Sequence, residues 1–255
     1  MDVKLGDMTK RDITVMFSDI RSFTSLSEKM SPDENFSFLN KYLSYVLPAI
    51  NNNHGFVDKY MGDGIMALFP ANADSAVKAG IAMLHAVINF NEYGQNSKED
   101  PITIGVGLSA GKLLVATVGD SHRIDGTVIS EVVNASSDIE ALTKFYRCSL
   151  LISEETFNRL NDPYEYAIRK VGAINIQASD NMTILYEVFD VDRGSVKSLK
   201  LQTRSIFEDA LDFFINSDYE KAKEIFQQVA EINPDDRAAL MYIGLIEENL
   251  SKADE

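Results

Sequence analysis

Two strand-like runs end on aspartates, and one of them belongs to a hairpin. The segment "ITVMFSDI" (13–20) is apolar and β-branched enough for a buried strand, and Asp19 closes it at the turn "DIRSFT". Further on, "GFVDKY", a tight "MGDG" and "IMALF" read as two strands joined back to back, with Asp63-Gly64 at the turn. So short a connection makes the flanking strands antiparallel neighbours. Hairpins in place of regular βα alternation predict an α+β sheet with helices on one face.

Between these runs lies a long helix, "SPDENFSFLNKYLSYVLPAINNN". Ser31, Pro32 and Glu34 supply its N-cap, first-position proline and capping-box glutamate. Phe36, Leu39, Leu43, Val46 and Ile50 form the expected apolar stripe, and Pro48 is expected to kink or end the helix. A small-residue helix is predicted from about Asp74 to Tyr93. "ITIGVGLSA" and "LLVATVGD" are predicted as two strands joined at Gly111-Lys112. A helix over 131–145 follows, then "SLLIS", a short helix near Glu154–Leu160, "YAIRKVG" and "TILYEVFD". After about residue 195 the pattern turns helical throughout. There Ala210, Ala222, Phe226 and Pro234 sit at tetratricopeptide-repeat spacing, and Gly244 falls where the next repeat's small residue belongs. That tail reads either as one repeat plus the first helix of another or as an amphipathic hairpin packed on the main domain, because an isolated repeat cannot bury its own faces. The expected division is 1–192 for the main domain and 198–255 for the tail.

A formal charge of -15 argues against nucleic acid and anionic membrane as partners. It leaves room for a nucleotide, whose charge bound metal and a few lysines can meet. The single cysteine, Cys148, rules out a disulfide framework and predicts a core position in a reducing, cytosolic compartment. No apolar run is long enough to span a bilayer. His54, His85 and His122 lack ligand spacing and read as structural or surface residues.

Asp19 at a strand end and Asp63 at a hairpin tip each have an ordinary structural reading, a cap and a turn. Adjacent antiparallel strands could, however, set the two carboxylates side by side. Such a pair repels itself, and Mg²⁺ or Mn²⁺ is the usual remedy. Lys59 adds a cation to the hairpin; a solvated face or an ion pair with Asp63 is its plain alternative. In "TVISEVVNASSDIEALTK", Asn134 and Asp138 lie four apart and share one helix face, away from the apolar stripe of Val132, Ala135, Ile139 and Leu142.

Three separated stretches, "ITVMFSDIRSFTSLSEKMSP", "HGFVDKYMGDGIMALFP" and "GTVISEVVNASSDIEALTK", together resemble the class III nucleotidyl cyclase domain of adenylate and guanylate cyclases over roughly residues 5 to 190. The resemblance implies a ferredoxin-like α+β fold followed by the all-α tail, acting as a dimer with sites shared between chains. Asp19 and Asp63 match the two metal aspartates, the Ile20 carbonyl an extra ligand, and two Mg²⁺ or Mn²⁺ ions are implied per site. Phe23 and Thr24 match the phosphate-cradling segment. Lys59 and Thr127 match the purine-reading pair in its adenine form, so ATP is the implied substrate, converted to cyclic AMP and pyrophosphate. Asn134 matches the residue that positions the ribose.

Two family cations are replaced. Asp138 stands where an arginine normally reaches the phosphates, and "INIQASDN" puts Gln177, Ala178 and Ser179 where a lysine neutralises the outer phosphates. Ser109 and Ala110 depart more mildly. At an effective dielectric of about 20, one charge pair at about 5 Å is worth roughly 3 kcal/mol, so exchanging arginine for aspartate swings the balance by about 6 kcal/mol if Asp138 faces the site. That is roughly four orders of magnitude in rate. The expectation is weak or no activity as a homodimer. It leaves three readings: a weak ATP cyclase borrowing Lys112, Arg123 or Lys144; a pseudo-enzyme acting on a protein partner through the tail; or the metal-donating subunit of a heterodimer.

Overall fold

The structure is a computed structural model and describes residues 8–94, 100–119, 124–129, 131–175 and 182–253. At its centre is β1 (Met8–Ile20), antiparallel to β3 (Gly64–Phe69) on one side and to β4 (Ile104–Gly119) on the other. β2 (Phe56–Met61) forms the outer edge beside β3. Beyond β4 come β6 (Leu150–Ser153), β8 (Met182–Val188) and β7 (Ile168–Asn175), while β5 (Ile124–Ile129) pairs with the far end of β4. The sheet is mixed: β4 and β6 run parallel and the other described pairs are antiparallel.

Alternation along the strands feeds two cores. Met16 and Ile20 of β1, with Ile104, Val106 and Leu108 of β4, face α2 (Pro32–Asn52) and α3 (Ala73–Asn89). Ile13 and Val15 face the other way, toward Val132 and Val133 of α4 (Glu131–Phe145). The helices therefore cover both faces of the sheet, not one as expected. Burial on both faces is what lets β1 read as an almost unbroken apolar run.

Several sequence expectations change here. β4 is one continuous strand through Gly111 and Lys112, registered without interruption against β1. Gly111 makes no turn there: a Cβ in its place would strike Val132 of α4. Glycines 105, 107 and 111 all lie under α4, and at Gly107 a Cβ would come within 2.7 Å of the Glu140 Cα and the Ser136 carbonyl oxygen. α2 opens with the expected capping box, but it does not end at Pro48, which lies inside it. The carbonyl that Pro48 leaves without a helical donor belongs to Ser44, and both residues are exposed, so water can serve it. Of the expected α2 stripe, Leu39, Leu43, Val46 and Ile50 pack in the core, joined by Phe38, Tyr42 and Ala49, while Phe36 is 71% exposed. The small-residue helix gives way at Phe90–Gly94 to a wider, π-type turn. Cys148 is buried, as its setting predicted, and His54 and His85 are exposed, while His122 lies outside the described residues.

The tail is α6 (Gly194–Ile215), α7 (Tyr219–Ile232) and α8 (Arg237–Ala253), following the short α1 (Phe23–Ser27) and α5 (Glu154–Phe157) met earlier in the chain. Phe207, Ala210, Phe226 and Tyr242 share one core with Ile139 and Tyr146 around α4 and with Val171 and Leu185 of the sheet. A buried ionic chain reinforces that docking. Arg169 of β7 holds Glu187 of β8 through Nε at 2.7 Å and grips Asp236, just ahead of α8, through both terminal nitrogens at 2.6 and 2.9 Å. Lys200 of α6 completes it, 2.6 Å from Glu187 and 2.6 Å from Asp192.

Candidate active site

Strand register and one hairpin tip build the site. The turn residues are Gly62 and Asp63, one place earlier than expected, and Gly64 already belongs to β3. Gly62 has φ 68°, and positive φ at the first turn position alone is the type II′ pattern, which favours glycine there. Because Ser18 pairs with Ile65, the tip folds over the end of β1. The Ile20 amide donates to Oδ2 of Asp63 at 3.1 Å, and the carboxylates of Asp63 and Asp19 come within hydrogen-bonding reach of each other. The two aspartates singled out from sequence thus meet.

Electrostatics at the pair follow from that meeting. Partial removal from water raises the Asp19 pKa, the hydrogen bond and charge of Asp63 raise it further, and together they bring it to about 7. Two carboxylates held this close repel each other when both are ionised, and a divalent cation offsets that repulsion, so the pair fits a divalent metal. No cluster of three His, Cys, Asp or Glu side chains that could hold a metal occurs among the described residues. Two carboxylates leave the remaining positions to main-chain carbonyl and substrate oxygens, which is how Mg²⁺ is commonly held.

Three supporting side chains went unnoticed in the sequence. Arg21, two residues after Asp19, passes beside Gly105 to α4. Its guanidinium donates to Thr143 Oγ1 and to the Cys148 carbonyl, and it lies 3.8 Å from Glu140. Burial raises the Glu140 carboxyl pKa; Arg21 opposes that shift and Asp63 adds to it. Tyr42 of α2 is fully buried with an unpartnered hydroxyl, its pKa raised by burial and by the charges of Asp63 and Asp19. "DIR" and the glutamate two places after Asp138 were the available signals. Tyr42 had none beyond its place on the α2 stripe.

Phe23 and Thr24 open α1. Its N-cap, Ser22, is left-handed (φ 56°) and gives no side-chain cap, and the first helical bond runs from Leu26 N–H to the Ser22 carbonyl. The amides of Phe23 and Thr24 therefore have no helical partner. Phe23 is anchored by stacking on Phe38 at 6.1 Å.

The remaining candidates lie apart from the aspartate pair. Lys59 pairs with its neighbour Asp58 at 3.3 Å, not with Asp63, beside a register shift in β2. Thr127 takes its place on β5 opposite Ala116. Asn134 and Asp138 are exposed, one turn apart, on the outward side of α4. The inward side is fixed by Ala135, Ile139 and Ser136, whose hydroxyl lies 2.8 Å from the Val15 carbonyl and 3.0 Å from that of Gly107. Within one chain, then, α4 presents Glu140 toward the aspartates and Asp138 to solvent. Ser109 and Ala110 are buried in β4. Gln177, Ala178, Ser179 and Arg123 lie outside the described residues.

Comparison with known proteins bears on the family and the fold. The profile described as "Adenylate and Guanylate cyclase catalytic domain" matches residues 7–187. A terminal-differentiation-specific adenylate cyclase of Dictyostelium discoideum is 36% identical over 249 residues, 95% of this chain and 12% of that one. An adenylate cyclase of Anabaena cylindrica is 40% identical over 193 residues, 73% of this chain and 38% of that one. The chain thus spans only a minor part of these relatives. Among solved structures, the adenylyl cyclase CyaB from P. aeruginosa superposes with a TM-score of 0.63 at 28% identity, covering 73% of this chain and 98% of that one. The guanylyl cyclase Cya2 superposes with a TM-score of 0.62 at 27% identity, covering 72% of this chain and 94% of that one. By sequence profile, relatives and fold, the chain belongs to the adenylate and guanylate cyclase catalytic domain family, class III.

Proposed function

We propose that residues 1–192 form a cyclase unit that converts ATP to 3′,5′-cyclic AMP and pyrophosphate at sites shared between two chains, and that residues 198–255 form an appended helical unit. The observation that carries this reading is the meeting of Asp19 and Asp63. The pair would hold two divalent ions, Mg²⁺ or Mn²⁺, with the Ile20 carbonyl as a further ligand. When bound, such ions lower the pKa of the ribose 3′-hydroxyl and offset phosphate charge. The 3′-oxygen then attacks the α-phosphorus, the bond to the pyrophosphate oxygen breaks, and the hydroxyl proton leaves to water. Uncapped amides at Phe23 and Thr24 would receive phosphate oxygens. Lys59 and Thr127 of a second chain would read adenine, and Asn134 would hold the ribose. The separation of Lys59 and Asn134 from the aspartates within one chain supports a site completed by a partner.

Asp138 sits on the outward side of α4 that such a partner would approach, so a homodimer would place a carboxylate near the phosphates. An intact aspartate pair beside a lost cation also favours a second reading, in which this chain donates Asp19 and Asp63 to a heterodimer. Cyclic AMP formation from ATP with Mn²⁺, using Asp19→Ala as the blank, tests the proposal. Turnover above the blank supports catalysis by this chain. Equality with the blank, even when an intact cyclase domain is added, overturns both readings in favour of a regulatory pseudo-enzyme.

A further inference from the structure

Gly105 of β4 pairs directly with Asp19 of β1, and its missing side chain leaves a gap under α4. A Cβ on Gly105 would strike the Glu140 carboxylate, the Thr143 hydroxyl and a terminal nitrogen of Arg21. Opposed residues of antiparallel strands share a face and set their Cβ positions about 4.5–5.5 Å apart. Three groups from distant parts of the chain therefore meet about one side chain's width from Asp19, on the face where Asp19 points.

Arg21 bridges the aspartate pair and α4. Its amide is fixed on the Thr103 carbonyl at 2.8 Å, two residues after Asp19. Its guanidinium donates to Thr143 and, at 3.4 Å, to the Cys148 carbonyl just past α4, and it lies 3.8 Å from Glu140. Burial lowers the Arg21 pKa, while the charges of Glu140 and Asp19 raise it, so one guanidinium answers to carboxylates on both sides. A divalent ion held by Asp19 and Asp63 would cancel the pull from the pair and leave that of Glu140. We propose that Arg21 is a positioning residue that carries cation binding at Asp19 and Asp63 to α4: its guanidinium is drawn onto Glu140, and α4 tightens against the sheet. The proposal rests on the reading of the two aspartates as metal holders. Asn134 and Asp138 ride on the outward side of α4, so the ribose-holding face of this chain is set by the metal state of its own aspartate pair. With sites shared between chains, that link runs from one site to the other.

Hydrogen exchange of the full chain with and without Mn²⁺, beside calorimetric titration with Mn²⁺, tests it. In wild type, saturating Mn²⁺ should slow exchange of the α4 amides 138–145 about tenfold. Arg21→Met removes the bridge, and Glu140→Gln keeps the shape of its target without the charge. Each should still bind Mn²⁺ yet hold the α4 rate within about twofold of its metal-free value. Urea melts establish that the variants fold, and should Arg21→Met fail to, Glu140→Gln alone decides. A merely structural Arg21 would speed α4 exchange in both states and leave the Mn²⁺ ratio as in wild type, which overturns the proposal. Mn²⁺ binding by wild type with no change in α4 exchange overturns it as well, and so does loss of Mn²⁺ binding in both variants, because the two residues would then build the metal site itself. Wild type that binds no Mn²⁺ overturns the metal reading, and this proposal with it.

Discussion

The carboxylate of Asp63 accepts a hydrogen bond from the Ile20 amide at 3.1 Å and so ties the hairpin tip to the residue that follows Asp19. The tie depends on Gly62, whose φ of 68° is costly for any residue with a Cβ. Gly62→Val should lower stability by only about 1–2 kcal/mol while weakening Mn²⁺ binding about tenfold or more, because it is the position of Asp63 that shifts. Isothermal calorimetry with Mn²⁺ beside a urea melt separates the two. Unchanged metal affinity would show that the tip does not set the pair.

Gly107 lies against the α4 backbone, so Gly107→Ala has no flexible neighbour to move. A loss of about 2–3 kcal/mol is expected in urea unfolding, since α4 must lift from the sheet. A neutral result would mean that α4 packs less tightly than the structure gives.

The tail should unlatch on loss of Arg169. In Arg169→Met the buried carboxylates of Glu187 and Asp236 lose their shared guanidinium, and a cost of about 3–5 kcal/mol is expected. Faster hydrogen exchange in α8 than in β1 would place the opening at the tail.

The same network predicts an acid limit. Burial alone would raise the Glu187 carboxyl pKa, yet Arg169 and Lys200 hold it down to about 2, from an ordinary 4.5. A depressed pKa stabilises the fold above about pH 4.5, and that contribution, about 3 kcal/mol, disappears as pH falls toward 2. Melts of wild type and Glu187→Gln across that window should converge at the acid end. Parallel curves would show that Glu187 does not titrate with unfolding.

What the sequence made legible were features with a local cause. The Ser31–Glu34 capping box, the Asn134/Asp138 face of α4 and the paired aspartates all rest on spacing or turn chemistry, which a chain carries in itself. What it hid depends on tertiary neighbours. Gly111 looked like a turn because nothing local shows that α4 needs its missing Cβ. Pro48 looked like a kink or an end because the exposure that lets α2 continue past it is a packing outcome. Arg21 and Glu140 are 119 positions apart, and only the sheet register brings them together beside Asp19.

The most direct test of the central claim is cyclic AMP formation from ATP with Mn²⁺ by purified wild type, Asp138→Arg, and Asp138→Arg with Asp19→Ala. The account predicts slight turnover by wild type, a rise of about a hundredfold or more on restoring the arginine, and loss of that rise when Asp19 is removed. Turnover that Asp138→Arg leaves unchanged, or that persists without Asp19, would contradict it.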